Sequence, residues 1–216
     1  MMIYYWSNKI QMKYVREMTN LSKNTIIKMY QKLRQVCRND LQRNPIRVGG
    51  GGQNFVVQVD ESMIRHGQRG GRGRRANPVW VFGLADTQFQ PAKGYMEVVP
   101  RRDRATLTGA INRVLLPNTV ITSDEWRGYL RLPQFVQNCI RHDSVNHTYN
   151  FVNPANGAHT QNIESYWNKF KLVIKAMKGI ELQYLQSYMD EFMWRDWRGL
   201  EEPLENIINC INIDYP

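Results

Sequence analysis

The stretch FVVQVD, Phe55 to Asp60, decides the fold. It is a short β-branched apolar run, expected of a strand buried on both faces, and it stops at an acid. A carboxylate closing a central strand must either lie in water at the sheet's edge or hold a cation, because burying it uncompensated is costly. Glu61 beside it competes for that role but points to the opposite face if the strand continues. Working outward, PVWVFGLAD (78–86) and GYMEVV (94–99) read as two further strands, making an antiparallel meander. Asp103 is placed to cap the helix RATLTGAINRVLL, with Leu107, Ile111, Val114 and Leu115 facing inward and Pro117 ending it. TVITSDEW (119–126) then supplies a fourth strand, parallel to the first because a helix crosses over between them, and it too stops at an acid, Asp124. Residues 138 to 145 allow a fifth.

Further on, HTQNIESYWNKFK (159–171) reads as a helix whose buried stripe is Ile163, Trp167, Phe170, Ile174 and Met177. Beside that stripe runs a polar row of Glu164, Asn168, Lys171, Lys175 and Lys178. A metal-binding carboxylate followed by phosphate-binding lysines looks like this, and so does a solvated charged face with one acid in it. NHTYNFVNPANGAHT (146–160) is a polar, turn-rich loop leading into the helix, and LQYLQSYMDEFMWRDW (182–197) is a second amphipathic helix with Leu185, Met189 and Phe192 or Met193 as core contacts. The acidic stretch 201–216 reads as a loosely attached tail.

Toward the N-terminus, residues 1–48 read as a helical module. MKYVREM, a short TNLS break and KNTIIKMYQKLRQVC suggest helix-turn-helix, with Ser22 capping the second helix and Lys23, Asn24 and Lys28 at its leading end. A plain helical hairpin is the alternative. Gly49 to Gly52 form a four-glycine run that does not hold a fixed conformation cheaply, so residues 49–53 are expected to be a linker and 54–200 a second domain. Within RHGQRGGRGRR (65–75), Arg65, Arg69, Arg72, Arg74 and Arg75 alternate with glycines, as in a mobile hairpin loop that wraps a phosphate backbone; a merely solvated loop has the same composition.

The 216 residues carry 29 Lys and Arg against 19 Asp and Glu, a net charge of +10, which puts polyanions first among partners and nucleic acid ahead of membrane. No apolar run approaches the roughly 20 residues that span a bilayer, and no secretory leader opens the chain. Cys37, Cys139 and Cys210 are scattered without a CxxC pair, which fits neither a disulfide framework nor a zinc site. A reducing compartment is expected: the nucleus in a eukaryotic host, the cytoplasm or nucleoid in a bacterial one.

If the first and fourth strands are parallel neighbours, Asp60 and Asp124 emerge side by side. Their like charges are tolerable with a divalent cation between them, and a hard oxygen site suits Mg²⁺ or Mn²⁺ rather than zinc. Two such ions about 3.5–4 Å apart activate a water or 3′ hydroxyl and stabilise the departing oxygen in phosphoryl transfer, with Glu164 closing the second position.

The order VQVDE, ITSDEWRGY and VNHTYNFVNPANGAHTQNIESYWNKFK resembles the catalytic domain of Merlin-type DDE transposases, eukaryotic relatives of the ISXO-type insertion-sequence transposases of bacteria. The resemblance covers roughly residues 54 to 197, and SDEW and GAHTQNIESYW are its specific segments. It implies a ribonuclease H-like α/β fold, a mixed sheet of a three-stranded antiparallel meander plus parallel strands flanked by helices. It also implies metal-dependent DNA strand cleavage and transfer at transposon ends by Asp60, Asp124 and Glu164. His147, His159 and Asn162 stand in motif positions too, either orienting a ligand or scissile phosphate or holding a turn. The N-terminal zinc module of many bacterial relatives cannot be built from three dispersed cysteines, and the abrupt opening on YYW leaves room for an upstream DNA-binding portion. Double-stranded DNA is the implied partner, and holding two ends together implies a homo-oligomer. Two other readings fit the acids: a domesticated, catalytically silent DNA-binding protein, and a structure-selective nuclease on the same fold.

Overall fold

The computed structural model describes residues 1–64, 79–146, 148–199 and 201–216. In chain order its helices are α1 (Met2–Ser7), α2 (Met12–Thr19), α3 (Lys23–Arg43), α4 (Arg104–Val114), α5 (Gln161–Ala176), α6 (Leu185–Trp197) and α7 (Pro203–Asp214). Its strands are β1 (Val48–Gly49), β2 (Gly52–Ile64), β3 (Val79–Asp86), β4 (Lys93–Val99), β5 (Leu115–Leu116), β6 (Thr119–Asp124) and β7 (Cys139–Val145). They form two compact units, one of Met1–Pro45 with Gln186–Pro216 and one of Ile46–Leu185. Arg65, Arg69, Arg72, Arg74, Arg75 and His147 lie outside the described residues.

In the contiguous unit, five strands lie in the order β4-β3-β2-β6-β7. β2, β3 and β4 are the antiparallel meander, while β6 pairs in parallel with both β2 and β7. This mixed α/β sheet flanked by helices is consistent with the ribonuclease H-like fold. Its centre is apolar where the β-branched runs cross, with Val57, Val59, Val81, Leu84, Val120 and Ile121 fully buried. Asp103 caps α4 as expected, its side chain accepting from the Thr106 N–H at 2.9 Å. Helix α4 stops at Val114, and Leu115–Leu116 pair with Val48–Gly49 instead of adding a last turn.

Two sequence expectations need correction here. The first strand does not stop at Asp60: β2 runs on to Ile64, because its antiparallel pairing with β3 continues from Asp60↔Gly83 to Ile64↔Val79 after the pairing with β6 has ended at Gln58. Nor is the glycine run a linker. Gly49 donates to Asp86 Oδ2 at 2.7 Å and Gly50 to Thr119 Oγ1 at 2.8 Å, while Gln88 donates to the Gly49 carbonyl. Gly49 sits at φ +87°, and a Cβ there would come within 2.2 Å of Thr119 Oγ1, so glycine serves a fixed close approach rather than mobility.

The other unit joins both ends of the chain. Trp6, Leu33, Val36 and Cys37 share a core with Trp194, Ile207 and Cys210. Asp40 Oδ2 accepts from the Trp194 indole at 3.1 Å, and Arg195 lies over the Trp6 ring and donates to the carbonyls of Trp6 and Ser7 at the end of α1. Ser22 caps α3, accepting from the Thr25 N–H at 3.1 Å, and the tight turn before it places Asn20 in the left-handed region. The stretch expected as a loose tail is helix α7, with Ile207 and Cys210 buried. Its acidic start conceals an apolar stripe.

Candidate active site

Two carboxylates meet because two strands run the same way. β2 and β6 pair through Val56↔Val120, Val57↔Ile121 and Gln58↔Thr122. Carrying that register two residues on brings Asp60 level with Asp124, at the end where β6 stops and the strands part. Each acid is half-buried. The Asp60 carboxyl is pushed up to about 7, by burial first, then by the charges of Glu61 and Asp124, against hydrogen bonds from the Glu61 backbone and the Trp167 indole. Asp124 Oδ1 accepts from the Trp126 N–H at 3.0 Å.

Helix α5 is docked against this pair by side chains on one face of β2. Gln58 and Asp60, two residues apart, project to the same side. Gln58 Oε1 accepts from the backbone N–H groups of Asn162 at 2.8 Å and Ile163 at 3.1 Å, which lie in the first turn of α5 and have no partner within the helix. Asp60 Oδ2 accepts from Trp167 Nε1 at 3.1 Å. The Trp167 ring packs against Gly83, the residue opposite Asp60 on β3, where a Cβ would approach Trp167 Cζ2 to 2.6 Å. Gln58 Nε2 stands 3.3 Å from His159 Nδ1, and the Gln161 N–H reaches the same nitrogen at 3.3 Å.

Glu164 is exposed in the first turn of α5 and accepts from Thr160 Oγ1 at 2.9 Å. One turn later on the same helix, Trp167 holds Asp60. Among the described residues, no group of three or more His, Cys, Asp or Glu side chains stands close enough together to hold a metal ion. The three carboxylates expected to converge therefore stand as an adjoining pair, with the third held by a threonine. Asn168, Lys171, Lys175 and Lys178 are exposed, so the polar row behind Glu164 faces solvent, while the buried stripe is Ile163, Tyr166, Trp167 and Phe170 and fades before Met177. Asn162 takes part through its backbone. In the other unit, Lys23, Asn24 and Lys28 are exposed at the head of α3.

On the opposite face of β2, Glu61 accepts from the Tyr129 hydroxyl at 2.7 Å and from Arg102 at 3.4 Å. The Arg102 guanidinium lies over the rings of Trp80 and Trp126, 4.3 and 4.9 Å from their centroids. Burial raises the Glu61 carboxyl above its ordinary range, and the Tyr129 and Arg102 contacts oppose that. Ser123 Oγ bridges the Asp124 carbonyl and His142 Nε2, at 2.6 and 2.8 Å. Two crowded carboxylates with hard oxygen donors, braced from both faces, can hold either a proton near neutral pH or a cation. Sequence reasoning missed Gln58, Trp167, Tyr129 and Arg102. The signal for Gln58 was present, since a polar residue two before Asp60 in an apolar run shares its face.

A family model described as an ISXO2-like transposase domain matches residues 51–196. An uncharacterized transposase-like protein of Haemophilus influenzae is 29% identical over 105 residues, spanning 48% of this chain and 80% of that protein. Among solved structures, a chain of the simian T-cell lymphotropic virus intasome in complex with PP2A regulatory subunit B56 gamma aligns at a TM-score of 0.42 and 14% identity. The alignment covers 69% of this chain and half (50%) of that one.

Proposed function

Because the chain belongs to the ISXO2-like transposase family, we propose that the unit Ile46–Leu185 cleaves and rejoins DNA strands at transposon ends, with Asp60, Asp124 and Glu164 as its catalytic carboxylates. The observation that carries this reading is the parallel β2–β6 register, which delivers two acids to one end of the sheet beside the head of α5. The donor set fits a hard divalent cation: Asp60 and Asp124 offer carboxylate oxygens at one end of β6, and Asp60 is pushed up to about 7 by burial first, then by the charges of Glu61 and Asp124. Mg²⁺ or Mn²⁺, as a pair of ions, would activate the attacking water or 3′ hydroxyl and stabilise the leaving oxygen. Trp167 orients the Asp60 carboxylate by its indole N–H, and Gln58 fixes the start of α5. Glu164 would exchange the Thr160 hydroxyl for the cation.

Lys171 and Lys175 on α5, with Arg65, Arg69, Arg72, Arg74 and Arg75, would bind the phosphate backbone, and Lys23, Asn24 and Lys28 would meet duplex DNA at the head of α3. Two copies of the chain would bring two ends together. The test is nicking of an element-end duplex in Mg²⁺ or Mn²⁺. Wild type nicks, Asp124→Ala and Glu164→Ala do not, and mutants that nick as well as wild type overturn the assignment.

A catalytically silent DNA-binding protein is the second reading, favoured by one observation: the Glu164 carboxylate already accepts from the Thr160 hydroxyl. DNA occupancy with no cleavage in either metal supports it.

A further inference from the structure

Tyr149 and Phe151 are 80% and 79% exposed, the largest exposures among the large apolar side chains of the described residues. They stand in a loop that is built rather than slack. The Asn146 carbonyl accepts from the N–H groups of Tyr149 and Asn150 at 3.1 and 3.0 Å, and Asn146 Oδ1 accepts from Thr148 N–H at 2.9 Å. Asn153 ties the loop to itself and to β7, donating through Nδ2 to the Ser144 carbonyl at 2.8 Å and through its backbone N–H to the Ala158 carbonyl at 2.8 Å. Asparagines thus satisfy the backbone that a hydrophobic collapse would otherwise have organised, and two rings are left in water.

The loop's position matters as much as its shape. Val145, the last residue of β7, pairs with Asp124, and Asn146 donates to Glu125 Oε2, so the loop rises directly from the aspartate end of the sheet. Its far end runs into His159 and α5. From Thr148 to Gly157 there is no charged side chain, which suits a base face better than a phosphate. The net charge of +10 draws a polyanion to the molecule as a whole. Aromatic rings on a basic protein stack bases without regard to sequence, and a closed duplex offers them none, since its base faces are already stacked. A protein partner would call for a broader apolar centre than two rings and the neighbouring Val152 among asparagines.

We propose that Tyr149 and Phe151 form a stacking platform for unpaired DNA bases beside Asp124, so that the protein holds a frayed or single-stranded end in preference to a closed duplex. The inference rests on the reading of the chain as a DNA-processing enzyme and adds the state of the strand it engages.

The test is fluorescence anisotropy of the full chain in EDTA with three labelled probes of one mixed sequence: a single strand, a blunt duplex, and the duplex with a single-stranded overhang. Wild type is expected to favour the single strand and the overhang over the blunt duplex. Tyr149→Ala and Phe151→Ala should each weaken those two by about tenfold and leave the blunt duplex unchanged. Tyr149→Trp and Phe151→Trp should bind as wild type, whereas leucine at both positions, which keeps apolar bulk and loses the π face, should bind like the alanine pair. Equal loss on all three probes, no loss on any, or full retention by the leucine pair overturns the proposal. A change in self-association by light scattering with unchanged single-strand binding also overturns it, in favour of a second copy as the occupant. Nicking is silent in EDTA, so a chain that stacks single strands but never nicks counts against the enzyme alone, and one that nicks without strand preference counts against the platform alone.

Discussion

Asp60 gives up its proton at a higher pH than an ordinary aspartate does. Its carboxyl is raised to about 7 in the folded chain, by burial and by the charges of Glu61 and Asp124, against about 3.9 when unfolded. A raised folded value stabilises the protein below the unfolded value, and that contribution drains away as pH rises through the folded one. In EDTA, the melting temperature of wild type should therefore fall as pH is taken from about 5 to about 8, and Asp60→Asn should flatten the fall. At the upper pH, Mn²⁺ should restore the wild-type melting temperature and leave Asp60→Asn unmoved. Differential scanning fluorimetry across that range checks both. A pH slope that survives Asp60→Asn removes Asp60 as its source.

At the scale of elements, the first turn of α5 is held by a single glutamine. Gln58→Ala would strand the N–H groups of Asn162 and Ile163, one of them fully buried, at a cost of about 1–3 kcal/mol for each unsatisfied group. The expected result is a lowered urea midpoint and faster amide exchange at the start of α5, whereas Gln58→Glu, which keeps the acceptor, should retain most of the protection. At the head of α3, Lys23→Ala and Lys28→Ala should each reduce the slope of log binding constant against log salt by about 1 on duplex DNA, read by anisotropy. An unchanged slope assigns α2 and α3 to a plain hairpin. Much of this layer was legible beforehand, because β-branched runs ending in acids and a helix with a lone carboxylate at its head carry their own periodicity. What stayed hidden is long-range. β2 outruns Asp60 only because β3 is there to pair with it, and the glycine run reads as slack until Asp86 and Thr119 are seen to grip it. Trp167 looked like one more core residue because its bond to Asp60 spans 107 positions.

For the whole molecule, the division into units follows packing rather than sequence order, since Trp6, Leu33 and Cys37 lie against Trp194 and Ile207. Residues 201–216 escaped notice because Glu201, Glu202 and Glu205 mask the buried Ile207 and Cys210. Ile207→Ala should cost about 2–5 kcal/mol in the unit that holds α1–α3, visible as an earlier urea transition in the Trp6 and Trp194 fluorescence, with the Ile46–Leu185 unit melting as before. Loss of both transitions together would mean that the units do not unfold separately.

That arrangement also sets an order of events on the ribosome. Residues 46–185 are continuous, and domains generally fold as units as they emerge, at about 5–20 residues per second. Helices α1–α3 emerge earlier still, yet the surfaces of Trp6 and Leu33 stay uncovered until α6 and α7 follow. Helices α1–α3 are made before the sheet yet completed after it, and a nascent chain that has emerged as far as Leu185 would carry a finished sheet and an unfinished helical module, the form that chaperones are built to shelter.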